Sequence, residues 1–170
     1  MSEHVAKFVL EEVKKHPEVE TELVDARDYR MGATDNTETS PQAIKLEKIV
    51  NRADGFIIVS PEYNHGYPGE LKMMLDLLYS QYAGKPVGIC GVSNGPVGGA
   101  RMGQQLRLVL IALHMIPVTE VVYFSFVNDL VDENGNFLQK DIYAPRVSGM
   151  LEAILWYARP LKEERRKKKE

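Results

Sequence analysis

The chain has 170 residues, the length of one ordinary domain, and its 44% apolar and 26% charged residues exclude a disordered or collagen-like polymer. No apolar run approaches the roughly 20 residues a membrane-spanning helix needs; the nearest, residues 108–118, is interrupted by His114 and contains Pro117. The net charge of −3 hides an asymmetry: residues 162–170 carry six basic and three acidic groups, which leaves −6 elsewhere and argues against a globally basic nucleic-acid binder.

In chain order, Val5, Phe8, Val9 and Val13 recur at helical spacing among charged residues, giving an amphipathic first helix that Pro17 stops. Residues 19–25 alternate polar and apolar side chains, the pattern of an exposed edge strand. A polar loop over residues 32–40 follows, and Ser40-Pro41 opens a second helix with Ser40 as its cap. Residues 55–60 (GFIIVS) and 87–92 (VGICGV) are continuous apolar runs, the signature of parallel strands buried on both faces. Helices are expected between them, over 69–79, and after them, over about 99–114. A β-rich run over 117–126, a turn at 132–135 and a helix striped by Val147, Met150, Leu151, Ile154, Leu155 and Ala158 complete the pattern. Strand and helix alternating in this way predict a doubly wound α/β sandwich, with a domain over 1–161 and a solvated, frayed basic tail over 162–170. The third and fourth helices carry more apolar residues than one face needs, among them Met73, Met74, Leu108 and Ile111, which points to a homo-oligomer contact.

In open α/β sheets ligands sit beyond the carboxyl ends of the strands, and two loops stand there. Residues 60–69 (SPEYNHGYPG) form a stiff turn whose Tyr63, His65 and Tyr67 offer flat faces to a planar ligand and whose N–H groups can donate to heterocyclic carbonyls. Residues 91–101 (GVSNGPVGGAR) bring glycines that allow close backbone approach and positive φ, and they lead into a helix N-terminus that favours anions or polarised carbonyl oxygens. The dinucleotide fingerprint G-x-G-x-x-G is absent.

The stretch SPEYNHGYPGELKMMLD, followed by KPVGICGVSNGPVGGAR, resembles the NADPH-dependent FMN reductases of the flavodoxin-like superfamily, a group that includes quinone, azo-dye and chromate reductases. The resemblance runs from the first helix to about Leu155. It implies a flavodoxin-like three-layer α/β/α fold, bound FMN, and NAD(P)H as cosubstrate. Carried onto this sequence, Pro61, Glu62, Tyr63 and Asn64 line the isoalloxazine ring, Ser93, Gly95, Gly98 and Gly99 form the second flavin loop, and Arg101 serves a dimer contact or the nicotinamide. Members of the family begin with an apolar strand and a Ser/Thr-Arg-Ser loop that holds the FMN phosphate. Here Met1 falls about where that loop ends, leaving Ser2 as a helix cap, so a first strand is expected to be missing from a sheet ordered 2-1-3-4-5. The segment at 19–25 would then stand roughly 9–10 Å from the strand at 55–60, a gap of two strand spacings. A truncated N-terminus, a strand supplied by a partner chain and a re-paired sheet are the alternatives; truncation is the expectation.

No Ser-His-Asp or paired-carboxylate arrangement is present, and none is required, because the flavin carries the redox chemistry while the protein positions it. No catalytic residue and no metal site are therefore assigned. His65 beside the flavin edge, with Tyr67 and Arg101, is a candidate for substrate or interface contact. His4 and His16 are isolated, and His114 is a helix-end dipole partner. The single cysteine, Cys90, permits no intrachain disulfide or cysteine-based zinc site and reads as an inert small hydrophobe, while Trp156 reads as core or interface. With Met1 leading directly into Ser2-Glu3-His4, no secretory signal is read, and a cytoplasmic protein without membrane or nucleic-acid partners is expected. The leading expectation is an NAD(P)H-dependent oxidoreductase acting as a homodimer or homotetramer on free flavin, quinones or similar small acceptors. The alternative is a non-catalytic flavodoxin-like oligomerisation or binding module; an electron-carrier flavodoxin fits less well, since such carriers depend on the phosphate loop and are strongly acidic.

Overall fold

The computed structural model describes residues 1–32 and 39–167, so most of the expected polar loop over 32–40 lies outside the described residues. Helix α1 spans Ser2–Lys14, α2 Pro41–Arg52, α3 Gly69–Leu75, α4 Ala100–Ala112 and α5 Lys140–Lys167. Strands β1 (Phe56–Pro61), β2 (Pro86–Val92) and β3 (Ile116–Phe124) pair in that order as a parallel sheet. Ser40 caps α2 as its sequence predicts, its Oγ accepting the Ala43 N–H at 3.1 Å. Ser2, by contrast, is not a cap: the Met1 carbonyl accepts from His4 and Val5, which makes Met1 the capping residue and Ser2 the first helical one.

Side-chain alternation along the strands sends apolar groups to both faces and creates two cores. On one face Val5, Phe8 and Val9 of α1 and Val147, Met150 and Ile154 of α5 pack with Cys90, Val92, Val122 and Phe124. On the other, Leu46 and Val50 of α2, Leu71 and Leu75 of α3, and Leu106 and Leu110 of α4 pack with Val87 and Ile89. The expected three-layer α/β/α sandwich follows. Phe124 anchors the first core, stacked on Tyr143 at 4.6 Å and edge-on to Phe8 and Phe137.

Several local expectations are revised. Residues 19–25 form no strand and are not part of the sheet, whose described strands are β1, β2 and β3 alone; a strand needs a ladder partner, and this segment has none. Because β1 is paired on one side only, Phe56, Ile57, Ile58 and Val59 are half-buried, whereas β2, flanked on both sides, is buried throughout. The basic end of α5 is not frayed as far as Lys167: Arg165 donates to the Gly84 carbonyl at 2.7 Å, and Lys162 and Arg165 both pair with Asp54. The surplus apolar residues after α3 are explained within the chain, since Leu77 and Leu78 are buried; on α4, however, Leu108 (71%) and Ile111 (59%) remain exposed. Of the two places expected for Trp156, the core is ruled out: it is 69% exposed, with its ring edge-on to Tyr157.

Candidate functional site: two loops at the carboxyl end of the sheet

Parallel pairing places the ends of all three strands on one rim, so the loops after β1 and β2 are neighbours by construction. The β1–β2 ladder continues one step beyond Pro61, the Glu62 N–H donating to the Val92 carbonyl at 3.1 Å. The chain then reverses over Tyr63-Asn64-His65-Gly66: Tyr63 and Gly66 exchange N–H···O bonds of 2.8 and 2.9 Å, and Asn64 and His65 have φ of 50° and 68°. Two central residues at positive φ are the mark of a type I′ turn, which asparagine accepts readily and histidine less so. Tyr63, Asn64 and His65 are exposed on its crest, while Tyr67 is half-buried against the second core.

The loop after β2 is stitched on its far side to the end of β3. The Ser93 N–H donates to the Phe124 carbonyl at 3.1 Å, the Ser93 carbonyl accepts from Val127 at 3.3 Å, and the Ser93 Oγ accepts the Gly95 N–H at 3.0 Å. Two of its glycines take the positive φ expected of them, and they also seat the loop on the sheet. Gly98 and Gly99 are buried, with φ of 58° and 88°. A Cβ on Gly91 would lie 2.6 Å from the Gly98 oxygen, and one on Gly98 would lie 2.8 Å from the Tyr123 carbonyl carbon. They let the loop fold down onto β2 and β3; the surface it offers outward comes from Asn94, Pro96 and Val97.

Glu62 joins the two loops. Its carboxylate accepts the Met102 N–H at 3.0 Å and lies 3.5 Å from the Arg101 guanidinium, with only 8% of its side chain exposed. Met102 is the third residue of α4, whose first N–H groups have no intrahelical acceptor. Gly99 stands at the N-cap and brings no side-chain cap, so Glu62 supplies that acceptor from across the crevice. A cap of this kind is worth about 1 kcal/mol, more when charge-assisted. The Glu62 carboxylate thus fixes one loop to the other, while its N–H is held by the Val92 carbonyl.

Both loops present backbone donors at the rim. Among the described residues the N–H groups of Asn64, His65, Asn94 and Val97 have no hydrogen-bond partner, which leaves donors on both loops. Cys90 lies fully buried beneath the rim, where burial pushes its thiol up and away from reactivity. His114 is at the opposite end of α4, bonded to Tyr79 at 3.1 Å, and takes no part.

Two features escaped sequence reasoning. Tyr123 threads beneath the glycines, its hydroxyl buried without a partner among the described residues, and that burial pushes its pKa up. Phe126, read as the end of a strand, instead takes φ 49° and is 51% exposed beside Gly95, whose carbonyl accepts its N–H at 3.4 Å. The available signal was Phe124-Ser125-Phe126: two aromatics at strand spacing cannot both enter a core that one of them already fills.

The sequence profile of the family described as NADPH-dependent FMN reductase matches residues 1–129. The 2-hydroxy-1,4-benzoquinone reductase of Burkholderia sp is 37% identical over 95 residues, 52% of this chain and 52% of that protein. The quinone reductase of Escherichia coli K12 is 44% identical over 72 residues, 40% of this chain and 38% of that protein. The match thus spans about half, or less, of these relatives' length. FerB, a flavoenzyme NAD(P)H:(acceptor) oxidoreductase from Paracoccus denitrificans, superposes with a TM-score of 0.76 over 94% of this chain and 90% of its own, at 18% identity, and shares the fold. With the profile covering well over half of the chain and both loops inside it, the chain belongs to the NADPH-dependent FMN reductase family.

Proposed function

We propose that the chain is an NAD(P)H-dependent oxidoreductase that binds FMN between the loops at 61–64 and 93–99 and reduces free flavin, quinones or similar small acceptors. The observation that carries this reading is the junction itself: two loops with free N–H donors, brought into register by Glu62 and Met102 at 3.0 Å. Bound FMN would supply the redox chemistry, hydride uptake from the nicotinamide and electron delivery to the acceptor. The chain's own part is positional. The turn at 63–66 presents the Asn64 and His65 N–H groups, and the loop at 93–97 presents those of Asn94 and Val97; these donors would hold the polar edge of the ring. His65, exposed on the turn, is placed to meet an acceptor, and no acid–base residue is assigned.

We read the protein as a cytoplasmic homo-oligomer. In support, no helix among the described residues is long and apolar enough to cross a membrane, the single cysteine is buried, and Leu108 and Ile111 form an uncovered apolar strip on α4. The test is purification with added FMN, followed by NADPH and NADH oxidation with 1,4-naphthoquinone as acceptor. Retained flavin and acceptor-dependent oxidation are the expected results. A colourless protein with no measurable flavin affinity would refute the reading.

A further inference from the structure

Each of the three loops on the rim exposes one large apolar side chain: Tyr63 after β1 at 62%, Val97 after β2 at 37%, and Phe126 after β3 at 51%. Phe126 differs from the other two in its backbone. A φ of 49° is strained for an aromatic residue and is a conformation that glycine or asparagine adopts at far less cost. The strain is enforced by neighbours on both sides. Val127 is 4% exposed and takes the core position that Phe126 gives up, and its N–H donates to Ser93. The Asn128 N–H donates to the Asn94 Oδ1 at 3.3 Å, and the Phe126 carbonyl accepts from Asp129 at 2.8 Å. The segment at 126–129 is thus tied to the loop at 93–95, and the ring is turned outward beside it. An exposed aromatic in a conformation that disfavours it, at the edge of a ligand crevice, is the kind of feature that persists because the ring is used.

We propose that Phe126 is a stacking platform for the planar electron acceptor, at the β3 end of the crevice and outside the two loops that hold the flavin. The inference rests on the function proposed above and adds the residue that selects flat acceptors. One aromatic face contributes about a tenfold change in affinity. The experiment uses FMN-loaded, oxidised protein titrated calorimetrically with 1,4-naphthoquinone in the absence of NAD(P)H. Phe126→Asn keeps the left-handed backbone and removes the ring; Phe126→Trp keeps a ring. The expected result is a dissociation constant raised about tenfold in the asparagine variant and unchanged within about twofold in the tryptophan variant. In turnover, the asparagine variant should lower kcat/KM for naphthoquinone about tenfold relative to kcat/KM for ferricyanide, which has no flat ring to stack. Equal quinone affinity in the unaltered protein and the asparagine variant, both carrying FMN, overturns this inference and leaves the proposed function standing. Failure of the unaltered protein to take up FMN overturns both. A dimer that dissociates on Phe126→Asn while quinone affinity holds would assign the ring to a subunit contact and overturn the inference as well.

Discussion

Substituting Gly91 by alanine tests how tightly the second loop is seated. Gly91 lies in β2, with Gly98 and Gly99 folded back above it. An added Cβ would stand 2.6 Å from the Gly98 oxygen, 2.8 Å from Tyr123 Cδ1 and 3.1 Å from the Gly99 oxygen. A carbon–oxygen contact needs roughly 3.3 Å, so the overlap with Gly98 is about 0.7 Å. Two of the three neighbours are backbone and cannot rotate away; relief requires the loop to rise. Overpacking of this kind costs about 1–3 kcal/mol, here near the upper end, and the loss of glycine's unfolded-state entropy returns about 0.4–1 kcal/mol. The net effect is about 2 kcal/mol, a drop in Tm of about 4–8 °C for a chain of this size. Gly149→Ala is the matched control. Gly149 is exposed within α5 with nothing within 4 Å of an added Cβ, so the same chemical change should stabilise by about 0.5–1 kcal/mol. Thermal melts of both variants, with FMN titrations of each, make the assay: Gly91→Ala should melt lower and bind FMN more weakly, and Gly149→Ala should melt higher and bind it equally. A Gly91→Ala protein that melts at or above the unaltered one would refute the close seating of the loop.

Other expectations follow from single contacts. Glu62→Ala removes the cap on α4 and leaves the Met102 N–H without its acceptor, which should cost about 1–2 kcal/mol in urea unfolding and weaken FMN binding by freeing one loop from the other. Leu108→Glu together with Ile111→Lys alters two exposed side chains, so the monomer's stability should change by less than about 0.5 kcal/mol while sedimentation shows smaller particles; an unchanged sedimentation coefficient would remove α4 as the contact. Asp25 accepts from the Arg27 side chain and from its backbone N–H, and these bonds hold its carboxyl below the usual value. A depressed folded-state pKa contributes stability that is present above the unfolded value of roughly 3.9 and fades as pH falls through the lower, folded value. Asp25→Asn should therefore lower Tm at pH 7 and have progressively less effect below about pH 4; a deficit that is the same at both pH values would contradict the assignment.

The helices and the buried strands were legible because their signals are local and periodic. The stripe Val5, Phe8, Val9, Val13 and the run at 87–92 each state which face is covered, and Ser40-Pro41 states where a helix starts. Residues 19–25 misled because alternation reports only that a segment would suit a sheet edge, whereas pairing depends on a neighbouring strand far away in sequence. The two loops were found from composition, but their internal roles were not. Glu62 was legible as a loop residue, yet its partner Met102 is 40 residues away and a sequence carries no sign of which backbone N–H a carboxylate will reach. The positive φ of Gly98 and Gly99 was legible, whereas their close seating against Tyr123 and Gly91 was not, since it depends on residues distant in sequence. Phe126 escaped for a similar reason: its outward turn is decided by Val127 and Ser93 rather than by its own preference.

Hydrogen–deuterium exchange of the purified protein with and without FMN reports most directly on whether the crevice between the two loops is the flavin site. The expected outcome is FMN-dependent protection of the amides at 62–66 and 93–98, with the free donors Asn64, His65, Asn94 and Val97 among the residues slowed. Protection confined to another part of the fold, or none at saturating FMN, would contradict it.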